Sequence, residues 1–239
     1  MTKQTTDKTI AKLKSGNTDL AHRENRIGQG SENVSASDMS IPRLKLLQAL
    51  SPELDAQDPK FVEGAKAGQI INSVTNELSN GLFLINLSYS RATIAWKKRK
   101  AGGGMFGTYD TEAEALAAIK AAGEPEENFD IKENPTHLVY LLSDEGEPKG
   151  IALLDMPGTK IKVSKRWNTL IHEEEKEGNP RFGCVWQLSA VQEKNSDGPY
   201  NNYAVSLVAR APDEVYQMAA QAYDVFFGKE PLEEVDEAA

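Results

Sequence analysis

GLFLINLSYSRATIAWKKRKAGGGMFGTY, residues 81–109, decides how the fold is read. Its first half sets Leu82, Leu84, Leu87, Tyr89, Ile94 and Trp96 at the spacing and composition of a strand. From Leu82 to Trp96 the run is long for one strand, so a bend or bulge is expected, as small barrels require. Asn80-Gly81 is a turn signal between this run and the apolar residues Ile70, Ile71 and Val74 before it. The second half changes character. No Asp or Glu occurs from Leu87 to Thr108, while Arg91, Lys97, Lys98, Arg99 and Lys100 add five positive charges to a chain whose formal net charge is −9. Gly102, Gly103 and Gly104 follow, and Tyr89, Trp96, Phe106 and Tyr109 flank the run.

Working outward, residues 1–38 are polar and rich in Ser, Thr, Asn and Gln, too poor in apolar surface to offset the entropy of ordering. Order is expected from MSIPRLKLLQALSPEL, residues 39–54, as an extended segment packed on the body, because Pro42 and Pro52 oppose a continuous helix. TYDTEAEALAAIKAAG is the clearest helix, with a Thr111/Glu114 capping box and Gly123 to close it. EPEENFDIKENP is read as an exposed acidic linker, and THLVYLLSD and KGIALLDM as two strands. TKIKVSKRWNTLIHEEEKEG is a second helix, with Val163, Trp167, Leu170 and Ile171 on one face. FGCVWQLSAVQEKNSDGPYNNYAVSLVARA is a hairpin turning at Asp197-Gly198-Pro199. PDEVYQMAAQAYDVFFG is a last helix, after which residues 229–239 form an acidic tail. The order predicts an α+β domain over residues 39–228, a mostly antiparallel β body with added helices, consistent with an OB-like barrel.

Composition excludes several classes. No apolar run approaches the roughly 20 residues that span a bilayer, and the N-terminus lacks the apolar centre of a secretory signal; a cytoplasmic protein without membrane contact is expected. Cys184 is the only cysteine and falls in a strand, as a buried inert thiol. His22, His137 and His172 have no metal-ligand spacing, and neither a CxxC, a P-loop nor a GxSxG is present. Glu173, Glu174 and Glu175 read as a solvated helix end. No enzymatic role, cofactor or metal is expected.

Binding of single-stranded nucleic acid needs cations along phosphates and flat rings for unstacked bases. The opening stretch holds both: Arg91, Lys97, Lys98, Arg99 and Lys100 as cations, and Tyr89, Trp96, Phe106 and Tyr109 as rings. Glycines leave room for a close backbone approach. GTKIKVSKRWN adds Lys160, Lys162, Lys165 and Arg166, again without an acid, and the hairpin turn adds Lys194, Tyr200 and Tyr203. All are expected to converge on one trough. The blander reading makes Tyr89 and Trp96 core residues and the basic run a solubilising loop. The acidic tail is able to occupy the basic groove until DNA displaces it, and then to engage partner proteins.

IPRLKLLQALSPEL, GQIINSVTNEL, WKKRKAGGGMFGTYDTEAEA and RFGCVWQLSAVQEKNSDGPYNNYAVSLV together resemble the single-stranded DNA-binding proteins of tailed bacteriophages, over roughly residues 40–227. The resemblance implies an OB-fold accessory of phage replication or recombination that protects single-stranded DNA. It also implies that phage or host replication proteins are recruited by the acidic C-terminus. Several such proteins end in an aromatic residue, whereas this chain ends Ala238-Ala239. A monomer or homodimer is expected. The reading from another class is a phage structural, assembly or adaptor protein that does not bind DNA.

Overall fold

A computed structural model describes residues 29–33, 40–196 and 198–227. The polar N-terminus, the acidic tail and Asp197 of the expected turn lie outside these residues, apart from residues 29–33. Contacts divide the chain into residues 1–40 and 41–239; the fold below is that of the second unit.

Nine strands are described in one sheet: β1 (Arg43–Leu46), β2 (Ile70–Asn72), β3 (Leu78–Ser79), β4 (Gly81–Lys97), β5 (Met105–Tyr109), β6 (Phe129–Leu142), β7 (Pro148–Asp155), β8 (Cys184–Asn195) and β9 (Gly198–Arg210). Among the described residues three α-helices accompany them: α1 (Glu112–Ala121), α2 (Ile161–Lys176) and α3 (Asp213–Phe227). The sheet order is β3-β2-β1-β7-β6-β4-β8-β9, with β5 paired to β4. All pairs are antiparallel except β1 with β7. The sheet curls into a half-barrel. Across its open side the amide of Gln48 both donates to Asn201 O (2.9 Å) and accepts from Asn201 N (3.0 Å), satisfying a backbone position of β9 that has no strand beside it.

The expected long, bulged strand is β4, 17 residues in one piece. Its register against β6 slips between Asn86 and Ser88. Before the slip, Leu82 and Leu84 join the core inside the curl with Val139, Leu154, Trp167 and Trp186, while Phe83, Ile85 and Leu87 join a second core on the other face with Ala219 of α3. The extra residue reverses the alternation. Tyr89 then pairs with His137 and faces α2, and Thr93 and Ala95 turn inward beneath α1.

The helices follow local rules. Thr111 Oγ1 accepts from Glu114 N at 3.2 Å, as the capping box predicts, and Gly123 has φ +70°. Ala115 and Ile119 are buried four residues apart against Phe129. In α2 the buried residues are Ser164, Trp167 and Ile171, with Val163 and Leu170 packed beside them. Cys184 is buried, and burial pushes its thiol up to about 11. One expectation is corrected: the acidic "linker" is in part a strand. Residues 129–135 extend β6 because Phe129 and Ile131 alternate inward and give the far half of β4 its partner.

Candidate nucleic-acid interface

The predicted residues form two groups rather than one trough. The first lies at the C-terminal end of β4 and in the turn to β5. The second lies where α2 meets the β8–β9 hairpin; the hairpin tip runs past the N-terminal end of β4, and Ser164 of α2 sits against His137 opposite its middle.

In the first group, the acid-free window of the sequence is not acid-free in space. Sheet pairing sets β6 and the segment before it against the basic run. Arg91 pairs with Glu133 (3.6 Å), Lys97 with Glu124 (2.6 Å), and Lys98 approaches Asp130 (3.9 Å) while donating to Glu127 O. The hollow beside Arg91, about 280 Å³, is lined by Asp110, Glu112 and Glu133 as well. Among the described residues, Arg99 and Lys100 have no acid partner; both are exposed in a single helical turn, residues 99–101. The glycines serve the turn. Gly102, Gly103 and Gly104 have φ of +111°, +70° and +97°, a run that residues with a Cβ rarely adopt.

The rings divide as well. Phe106 and Tyr109 pack into the α1 core, Phe106 meeting Phe129 edge-on at 4.9 Å. The Tyr109 ring covers Gly107 so closely that a Cβ there would collide with it. Lys97 lies over Phe129, 5.9 Å from the ring centroid. Trp96 is on the opposite face, 43% exposed, paired with the exposed Met105 on β5. Tyr89 is partly exposed, its ring 5.1 Å from that of His137.

In the second group, α2 and the hairpin meet. A groove of about 520 Å³ between α2 and the hairpin is lined by Lys162, Arg166, Val191, Glu193, Tyr203 and the indole of Trp167, among others. Lys160 sits over the ring of Tyr203 at 5.7 Å, and burial lowers its pKa. Lys165, Arg166 and Lys194 are exposed and have no acid partner among the described residues. Glu193 is the counterweight. It accepts from Lys162 (2.8 Å), Tyr200 (2.6 Å) and Asn202 (2.9 Å), and these three bonds hold its carboxyl down at about 2. Tyr200 is thus committed to Glu193, and Tyr203 is buried with its hydroxyl on Leu44 O.

Sequence reading missed the polar cluster between the two groups. Asn86, His137 and Ser164 are buried and bonded in a row, Asn86 Nδ2 to His137 Nδ1 and His137 Nε2 to Ser164 Oγ, each at 2.8 Å. Arg181 joins the row through Asn86 and also bonds Asn168 on α2. Only a buried His facing a helix Ser betrays it, and that is a tertiary fact.

No curated protein and no solved structure matches the chain. The family described as Pam3 phage gp34-like protein matches residues 10–231, nearly the whole chain. The protein therefore belongs to the Pam3 phage gp34-like family.

Proposed function

We propose that the protein binds single-stranded DNA without sequence preference, through phosphate neutralisation and base stacking, and carries out no reaction itself. The observation that carries this reading is Trp96. An indole left on the open face of a strand, beside a turn whose Arg99 and Lys100 have no acid partner among the described residues, is the pairing of ring and cation that single strands require. The strand order supports the OB-like part of the reading. An OB barrel is a five-stranded, partly open Greek key that takes oligonucleotides on one face and between two of its loops. The order β7-β6-β4-β8-β9, with α2 between β7 and β8 in the chain and β1 at the open side, supports that comparison. In that correspondence the two loops are the β4–β6 connection, which holds Lys98, Arg99 and Lys100, and the β8–β9 turn beside Lys194. The role that follows is protection of single strands in phage replication or recombination within the host cytoplasm, with the acidic tail recruiting partners. The test is titration of fluorescent oligo(dT), where binding should weaken steeply with salt.

A second reading, a phage assembly or adaptor protein, draws on apolar exposure elsewhere. Leu207 and Val208 on β9 and Val225 and Phe227 near the end of α3 are exposed. That reading expects the protein in purified particles and no response to oligonucleotide.

A further inference from the structure

Arg181 lies between α2 and β8, with its guanidinium partly buried. One nitrogen, Nη1, donates to Asn86 Oδ1 on β4 and to Asn168 Oδ1 on α2, both at 3.1 Å. Both acceptors are neutral amides. An arginine drawn out of water is ordinarily matched by a carboxylate, because an uncompensated cation is costly to desolvate. None of the described carboxylates forms an ion pair with Arg181; Glu175 acts on it only from a distance and lies against His172 Nδ1 at 3.5 Å. Nε and Nη2 make no hydrogen bond to the described residues, and neither is sealed from solvent. The result is a guanidinium fixed by one nitrogen, with its charge intact and its other donors free of the described residues. That is the arrangement a phosphate oxyanion fits, two parallel N–H···O bonds from a pre-aimed fork.

The surroundings agree. Neutral His137 accepts from Asn86 Nδ2, and this fixes which end of the amide faces Arg181. The exposed Tyr89 ring leans on His137, the two ring centroids 5.1 Å apart. Lys165, exposed on α2, is one helical turn before Asn168. Arg181 and the Tyr89 ring thus flank the row formed by Asn86 and His137, with Lys165 of the second group one turn along α2.

We propose that Arg181, held open by Asn86 and Asn168, binds a phosphate of a nucleic-acid backbone, with Tyr89 beside it for a base. The inference rests on the nucleic-acid reading, and the experiment separates the two. Oligo(dT) is titrated against wild type, Arg181→Gln and Asn168→Asp in the full chain. Arg181→Gln should weaken binding about tenfold, the value of one lost charge-assisted contact, and make the log–log salt slope shallower by about 0.7, one phosphate on a single strand. Asn168→Asp gives Arg181 an internal carboxylate and should weaken binding in the same way with the fold kept, so a poorly folded Arg181→Gln does not end the test. If both variants bind like wild type with the same slope, the Arg181 site is wrong and the nucleic-acid reading stands. If wild type ignores oligo(dT), both fall. Inorganic phosphate is the other arm: saturation of the Arg181 side-chain Nε NMR signal by phosphate, with oligo(dT) leaving that signal unmoved, would mark a free-anion site and overturn the inference.

Discussion

His137 Nε2 lies 2.8 Å from Ser164 Oγ, joining the middle of β6 to the buried face of α2. Asn86 Nδ2 fills the other ring nitrogen, so the proton resides on Nε2 and the imidazole is neutral. Burial, with the Arg181 charge adding to it, pulls its pKa down to about 3 from an ordinary value of 6.5. Below pH 6.5 the unfolded chain takes up a proton that the folded chain refuses, so stability should fall as pH drops from 6.5 towards 3. The contribution is at most about 1.4 kcal/mol per pH unit. Urea unfolding at pH 7 and pH 4.5 should show a smaller loss for His137→Gln than for wild type. Equal losses would mean that His137 is not the titrating group.

The three tryptophans should behave oppositely on substitution. Trp96→Ala removes a ring 43% exposed and should cost clearly less stability than truncating a buried tryptophan, while weakening oligo(dT) binding by about 1–3 kcal/mol. Trp167 and Trp186 are fully buried, their rings 6.0 Å apart. Trp167→Ala should therefore cost about 3–5 kcal/mol of stability. Circular dichroism melts beside binding titrations distinguish the two effects; a Trp96→Ala protein that binds normally assigns the indole no role with DNA.

Glu193 neutralises Lys162 at the mouth of the α2–hairpin groove. Its low pKa keeps it charged through the whole range in which the protein is handled. Glu193→Gln should release Lys162 and tighten oligo(dT) binding several-fold, most at low salt. Unchanged affinity would remove this groove from the interface.

The sequence carried local structure well and spatial electrostatics poorly. The Thr111/Glu114 cap, the Trp167/Ile171 face and the bent strand through Leu87 were legible because each rests on residues within a few positions of one another. The basic run of residues 91–100 misled, because Glu133, Asp130 and Glu124 return opposite it through β6 and the segment before it. An acid-free window in sequence says nothing of a partner strand thirty to forty residues away. The triple glycine likewise looked like room for a ligand, and its positive φ values show a turn requirement instead. Arg181 was invisible for the same reason in reverse, since its isolation from carboxylates is a property of three elements meeting.

The acidic tail gives a prediction from charge alone. Glu230, Glu233, Glu234, Asp236 and Glu237 against Lys229 leave −4 in residues 229–239. A short tether holds such a segment at an effective concentration in about the millimolar range. Removing residues 229–239 should tighten DNA binding, most visibly at low salt. Identical isotherms with and without the tail would show that it does not compete.

The most direct test is equilibrium titration of labelled oligo(dT) at two salt concentrations with the full chain. Four to six phosphate contacts predict a log–log slope of about −3 to −4 for a single strand. Absence of binding at low salt, or an affinity indifferent to salt, would contradict the proposed function.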